Sequence, residues 1–95
     1  MNRVEEISKY LKAIGDPTRL KIIELLNTCE KPLCVNAISK RLNITQSAVS
    51  QHLHILRQLD LVKGNRAGYH IHYEVDEERI SYYNSILQNI TKKST

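Results

Sequence analysis

The sequence predicts a mainly α protein with one small β-hairpin, an α+β class in the order ααααββα. Three observations predict it. Apolar residues recur at three- and four-residue spacing through most of the chain, the period changes to alternation only around residues 69–75, and Gly, Asn and Pro residues separate the segments. At 95 residues, the chain is predicted to form one domain, 1–95, with a single modest core.

The first two helices are predicted over residues 3–14 and from Pro17 to about Thr28. Gly15 ends the first. Asp16 is a favourable N-cap for the second, because its carboxylate can accept hydrogen bonds from free backbone N–H groups. Pro17 suits the first helical position, where no N–H is required.

The next two helices are joined by a tight turn. Asn43 tolerates the left-handed conformation that ends a helix, and Thr45 can cap the helix that follows. Cys34 stands where the third helix needs its N-cap. This arrangement predicts a helix-turn-helix over residues 34–60. Apolar residues mark the two helices at helical spacing: Val35, Ile38 and Leu42, then Val49, Leu53 and Leu56.

Residues 61–75 are predicted to form a hairpin, or wing. Leu61-Val62-Lys63 supplies one strand, and residues 65–68, "NRAG", suit a short loop with Gly68 in the left-handed position. Asp76 then caps a last helix over 77–91. The other strand alternates, with one face carrying Tyr69, Ile71, Tyr73 and Val75 and the opposite face carrying His70, His72 and Glu74.

Positive charge is concentrated on the helix-turn-helix and the wing. The chain has 14 Lys plus Arg against 10 Asp plus Glu, and Asp60 is the only acidic residue between Cys34 and Tyr73. This distribution favours a polyanionic partner.

The sequence contains no apolar run long enough to span a bilayer, no signal-peptide core at its start and only two cysteines, so we expect a cytoplasmic protein without a membrane partner.

The fourth helix has the polarity expected of a helix that enters the major groove of double-stranded DNA. Short polar side chains near its start can bond to base edges, while cations around it can bind phosphates. A polar helix face or a basic cluster alone is commonly just solvated surface, but their coincidence on a helix-turn-helix favours DNA. The predicted base-contacting residues are Gln46, Ser47, Ser50, Gln51 and His54, and the predicted phosphate-contacting residues are Lys40, Arg41, Arg57, Lys63 and Arg66.

The segments "LKAIGDPTRLKIIELL", "LCVNAISKRLNITQSAVSQHLHILRQLDLV" and "KGNRAGYHIHYEVD" together resemble the ArsR/SmtB family of winged helix-turn-helix repressors over nearly the whole chain. The resemblance implies a homodimer built from helices 3–14 and 77–91, a palindromic operator and release when an effector binds. Apolar stripes on these helices are compatible with a dimer interface, although they could equally be intrachain core. The predicted interface residues are Val4, Ile7, Leu11, Ile14, Ile80, Tyr83, Leu87 and Ile90.

The metal sites of the resembled family are incomplete in this chain. Where one family pattern has two cysteines on the third helix, only Cys34 is present, and the last helix has none of the histidines of the zinc pattern. Cys29 and Cys34 are the predicted effector residues, through a disulfide, a persulfide bridge or a shared metal or metalloid ion. The alternative is that both are half-buried small residues. No cofactor is predicted with certainty.

Three histidines are candidates for metal binding or for a structural role. His70 and His72 could hold a metal only with further ligands, and exposed strand histidines near DNA are the favoured interpretation. His52 is assigned to packing or backbone support.

No nucleophile with a base and an orienting partner is found, so the sequence does not predict an enzyme. The alternative to a repressor is a winged-helix module that binds protein or RNA.

Overall fold

Helices and strands follow the predicted order in the computed structural model, which describes residues 2–93. One element was not predicted: a two-residue strand between the second and third helices. The helices are α1 (Arg3–Ile14), α2 (Pro17–Thr28), α3 (Val35–Leu42), α4 (Gln46–Gln58) and α5 (Glu77–Thr91), and the strands are β1 (Leu33–Cys34), β2 (Val62–Ala67) and β3 (His70–Val75).

The turn between α1 and α2 is tight because of Gly15 and Asp16. The Gly15 N–H donates to the Leu11 carbonyl at 2.8 Å, and a Cβ at Gly15 would lie 2.7 Å from the same oxygen. Asp16 is the N-cap of α2 and accepts from the Arg19 N–H at 3.0 Å. This hydrogen bond is the main reason that the pKa of Asp16 is lowered, so the cap is charged at neutral pH.

Three residues form the turn of the helix-turn-helix. Asn43 adopts the predicted left-handed conformation, with φ 55° and ψ 49°. The Ile44 N–H donates to the Ser39 carbonyl at 3.2 Å, and the Ser39 hydroxyl donates to the Ile44 carbonyl. Thr45 caps α4 by accepting from the Ala48 N–H at 3.0 Å. Local hydrogen bonds therefore fix where α3 ends and where α4 begins.

The strands form an antiparallel sheet in the order β1-β3-β2. The predicted loop was wrong in extent, because pairing continues from Val62↔Val75 to Ala67↔His70 and leaves only Gly68 and Tyr69 to turn the chain. Gly68 has the expected positive φ of 65°, which a two-residue loop requires at its first position. Tyr69 consequently lies in the turn and is 98% exposed, not on the inner face of the strand.

All of the helices and the sheet contribute to one core. Its most completely buried side chains are Ile22, Ile38, Val49, Leu53, Leu56 and Leu61. The core includes no buried polar or charged residue among residues 2–93. It is continuous from α1 and α5 to the helix-turn-helix, so these parts of the chain support one another.

Aromatic contacts join α1 to α5. The Tyr10 and Tyr83 rings stack with centroids 4.7 Å apart, and the Tyr10 hydroxyl donates to Asn84 Oδ1 at 2.7 Å. The Tyr82 hydroxyl donates to the Glu6 carboxylate at 3.0 Å, and this hydrogen bond raises the pKa of Tyr82. Burial raises the pKa of Tyr10 as well, so both hydroxyls stay protonated as donors near neutral pH.

None of the helices within residues 2–93 combines the length and the apolar character that a bilayer span requires.

Replacement of Thr45 by Ala should lower the free energy of unfolding by about 1 kcal/mol, because the Ala48 N–H loses its capping acceptor. Thr45→Ser keeps a hydroxyl at the same position and should recover most of the loss. Urea denaturation of both variants measures the difference. Equal stabilities for the Ala and Ser variants would contradict the capping role.

Candidate nucleic-acid interface

The α4 helix has a buried side and an exposed side. Val49, Leu53 and Leu56 are at most 1% exposed, so they hold the helix against the core. The side chains predicted to contact bases are all exposed: Gln46, Ser47, Ser50, Gln51 and His54. The chain itself leaves this surface uncovered, and its hydroxyl, amide and imidazole groups offer the donors and acceptors that base edges require.

Two of these residues have intramolecular partners. Gln46 Nε2 donates to Asn36 Oδ1 at 3.2 Å, and His54 Nε2 lies 3.2 Å from Gln58 Nε2. Both contacts are exposed, so water can replace them at little cost. Sequence analysis did not identify Asn36. Its signal is its position in the first turn of α3, which the helix-turn-helix brings close to the start of α4.

The five predicted phosphate-binding cations are also exposed, although three of them have a partner. Arg41 Nη1 donates to Cys29 Sγ at 3.5 Å, and the Arg57 guanidinium lies 6.0 Å from the centre of the Tyr73 ring. Lys63 pairs with the Glu74 carboxylate at 3.4 Å. Exposed pairs of this kind contribute little to stability, so the Lys63 ammonium can exchange partners readily.

The end of the wing carries an unpredicted aromatic residue. Tyr69 is almost fully exposed in the turn, and Arg66 and His70 are exposed on the strands that lead to it. Arg66 is paired with Ile71 in β2, not in the predicted loop. The signal for this arrangement was Gly68, whose left-handed conformation allows a turn of only two residues.

His72 is not the exposed strand histidine that the sequence suggested. It is half-buried because β1 pairs with β3 at this point, with Cys34 directly opposite His72. Its Nδ1 is buried and makes no hydrogen bond to any described residue. The His70 and His72 rings lie 6.5 Å apart in an edge-to-face arrangement.

The two cysteines lie next to the two ends of α3. Cys34 is the N-cap of α3 but makes no side-chain capping hydrogen bond, whereas Cys29 contacts Arg41 in the last turn. Both are free and half-buried. Across residues 2–93, no three His, Cys, Asp or Glu side chains come together in a way that could hold a metal ion.

The predicted interface residues on α1 and α5 differ in how far the chain itself buries them. Ile7 and Tyr83 are buried within the chain's own core, at 3% and 5% exposure. Val4 and Leu11 are 60% and 41% exposed, and Tyr82, which was not predicted, adds another exposed ring. The remaining predicted residues are partly buried and pack against the chain's own core: Ile14, Ile80, Leu87 and Ile90.

Known proteins share both the sequence pattern and the fold. Residues 16–63 match the family model for bacterial regulatory proteins of the arsR family. The transcriptional repressor SdpR of Bacillus subtilis is 34% identical over 70 residues, which cover 74% of this chain and 76% of SdpR.

Solved structures with a similar fold include NolR and Mb0332. NolR from Sinorhizobium fredii has a TM-score of 0.74 and 28% identity over 96% of this chain and 89% of its own. Mb0332 from Mycobacterium bovis, described as a homodimeric winged helix-turn-helix DNA-binding domain, has a TM-score of 0.73 and 20% identity over 95% and 84% of the two chains.

These comparisons agree with the geometry of α3, α4 and the wing. The matched repressors and regulators act in transcription and are not enzymes. The chain is a winged helix-turn-helix, DNA-binding transcriptional regulator, and it belongs to the arsR family of bacterial regulatory proteins.

Proposed function

We propose that this protein is a homodimeric repressor that binds a palindromic operator in the cytoplasm, with α4 of each subunit in the major groove. The observation that carries the proposal is the polarity of α4: a fully buried apolar stripe on one side and an exposed polar surface on the other. The name of SdpR, a transcriptional repressor, supports repression over activation.

Gln46 and Gln51 are the proposed base readers, because a glutamine amide can bond bidentately to the major-groove edge of adenine. Ser47, Ser50 and His54 extend the same exposed surface and can reach bases or nearby phosphates. Since Gln46 bonds to Asn36 in the free protein, binding exchanges one exposed hydrogen bond for another.

The phosphate backbone supplies most of the proposed affinity. Lys40, Arg41 and Arg57 come from the helix-turn-helix, while Lys63 and Arg66 come from β2. Their exposed charged groups can reach phosphates on either side of the groove. When Lys63 binds a phosphate, it loses only a weak ion pair with Glu74. Tyr69 and Arg66 allow the wing to contact the sugar-phosphate backbone or the minor groove.

The exposed apolar side chains of α1 and α5 support a dimer. Val4, Leu11 and Tyr82 present hydrophobic surface that this chain leaves uncovered. The radius of gyration is 14.4 Å, above the value of about 12 Å for a compact chain of this length, so the protomer exposes more surface than a compact domain. A twofold dimer would place two α4 helices on half-sites about 34 Å apart.

The effector site is proposed at the cysteines beside α3. Peroxide could oxidise the Cys29 and Cys34 thiols to a disulfide, consuming one peroxide and releasing two waters, or both thiols could bind a thiophilic metal or metalloid ion. Because the cysteines lie beside opposite ends of α3, either reaction would require the segment 29–34 to move. Either change would alter the Cys29–Arg41 contact and the N-cap of α3. The operator would then be released because the helix-turn-helix no longer fits it.

The proposed operator complex is tested with a duplex of about 30 base pairs from the protein's own promoter. Affinity should exceed that for random duplex and fall by about 10³-fold or more between 50 and 200 mM salt. Gln51→Ala should weaken the promoter complex about tenfold, with little effect on random duplex, because it removes a base contact. Gln88→Ala, the same change on exposed α5, is the control. Equal affinity for promoter and random duplex would refute sequence-specific repression.

The proposed dimer is tested by replacing Val4 and Leu11 together with Gln, since polar side chains on this surface remove the hydrophobic gain of association. Sedimentation should show a dimer for the natural chain and a monomer for the double variant. Lys9→Gln, on exposed α1 surface, should stay dimeric. A dimer that survives the double substitution would place the interface elsewhere.

The proposed effector site predicts that Cys34→Ser keeps its operator affinity but is no longer released by peroxide, arsenite or Cd²⁺. Serine preserves the size of the N-cap residue and removes the sulfur chemistry. Operator binding titrated with each reagent measures the response, and Cys29→Ser tests the second thiol. Normal release of the Cys34 variant by all three reagents would exclude Cys34 from the mechanism.

A further inference from the structure

Arg19 connects three helices at one point. Its Nε donates to the Ala13 carbonyl at 2.6 Å, and its Nη2 donates to the Lys12 carbonyl at 3.4 Å. Its Nη1 lies 3.3 Å from His52 Nδ1 on α4. Arg19 itself stands in the first turn of α2, where its backbone N–H donates to the cap Asp16.

The contacts to α1 satisfy groups that the helix cannot satisfy internally. The last carbonyls of a helix have no N–H partner in the helix, and a cation at that end also complements the helix dipole. The guanidinium has a planar set of donors, so it can bond two carbonyls of α1 and still have a donor directed at α4.

The contact with His52 defines the role of that histidine. Arginine only donates, so the 3.3 Å contact requires Nδ1 to accept, with the imidazole proton on Nε2. The Asp16 carboxylate lies 3.9 Å from the same nitrogen, beyond hydrogen-bond distance, and would become the partner only if Nδ1 carried a proton. The shorter contact, with Arg19, is the one that holds His52 in this structure.

Direct packing between α1 and α4 is incomplete beside this contact. A groove of about 410 Å³ lies between the two helices, and its lining includes Lys9, Ala13, Arg19, Ile55 and Gln58. The groove is open to solvent, so water and not apolar side chains fills the space between the two helices beside Arg19. The polar bridge through Arg19 therefore carries part of the connection that apolar contacts would otherwise supply.

We propose that Arg19 and His52 are positioning residues that set the orientation of α4 relative to α1. The inference rests on the proposed function, because α1 carries the proposed dimer surface and α4 the proposed DNA surface. In a twofold dimer, a small rotation of α4 about this junction changes the distance between the two recognition helices. Arg19 and His52 thereby determine which half-site spacing the dimer accepts, although neither contacts a base.

The experiment compares three single variants and one double variant. Arg19→Lys keeps the charge but loses the planar set of donors. His52→Leu removes the acceptor, whereas His52→Asn keeps an oxygen close to the position of Nδ1. Operator affinity is measured on duplexes whose half-sites are moved apart or together by one base pair, and hydrogen exchange of the α4 amides is measured in the DNA-free protein.

Arg19→Lys and His52→Leu should each lose about tenfold in affinity for the natural spacing and should bind the three spacings more equally. His52→Asn should stay within about twofold of the natural chain. The double variant that combines Arg19→Lys with His52→Leu should lose little more operator affinity than either single variant, because the two residues act as a unit. The exchange of the α4 amides should be faster in the two weakened variants.

Unchanged spacing preference together with unchanged exchange in Arg19→Lys and His52→Leu would overturn the inference. Affinity that falls equally for every spacing, with no recovery in His52→Asn, would indicate a general loss of stability. That outcome would also overturn the inference. If the natural chain shows no preference for its operator, the proposed function fails, but the exchange measurement still decides whether Arg19 and His52 hold α4 in place.

Discussion

Val49, Leu53 and Leu56 are almost completely removed from solvent, and this burial along one side of α4 determines which side chains can meet DNA. Burying each such side chain contributes roughly 1.5–3 kcal/mol, so exposing even one of them would cost a substantial share of the 5–15 kcal/mol that typically separates folded from unfolded domains. A rotation of α4 about its own axis would expose this stripe. The core therefore fixes the orientation of α4 and, with it, the direction in which the polar side chains of this helix face.

Elements that depend on local chemistry were predicted from the sequence. Asp16, Thr45 and Asp76 cap their helices as expected, and Asn43 ends α3 in the left-handed conformation, because each acts on backbone groups within a few residues. The strand β1 was missed for the opposite reason. Two residues carry no period, and they become a strand only by pairing with β3, about 40 residues later.

The sequence predicted which residues belong to the candidate site but not which side chains they contact. Helical periodicity identifies the exposed residues of α4, because exposure follows from facing away from an apolar stripe. It cannot reveal that Arg41 contacts Cys29 or that Arg19 contacts His52, since these pairs form through tertiary packing. Periodicity also cannot separate Ile7, which is buried within the chain, from Leu11, which is exposed on the same helix.

These energies limit how an effector could release DNA. Tilting α4 away from α3 would uncover Val49 and Leu53 and cost several kcal/mol, more than the 1–3 kcal/mol typical of coupling between two sites. A small movement of α3 and α4 together about the junction at Arg19 keeps the contacts between these two helices. It disturbs hydrogen bonds worth about 1 kcal/mol each and only the contacts that the pair makes with the rest of the core. The change proposed at Cys29 or Cys34 would therefore act on the helix-turn-helix as a unit, because Cys29 contacts Arg41 of α3, Cys34 is the N-cap of α3, and the groove beside α1 leaves room for such a shift.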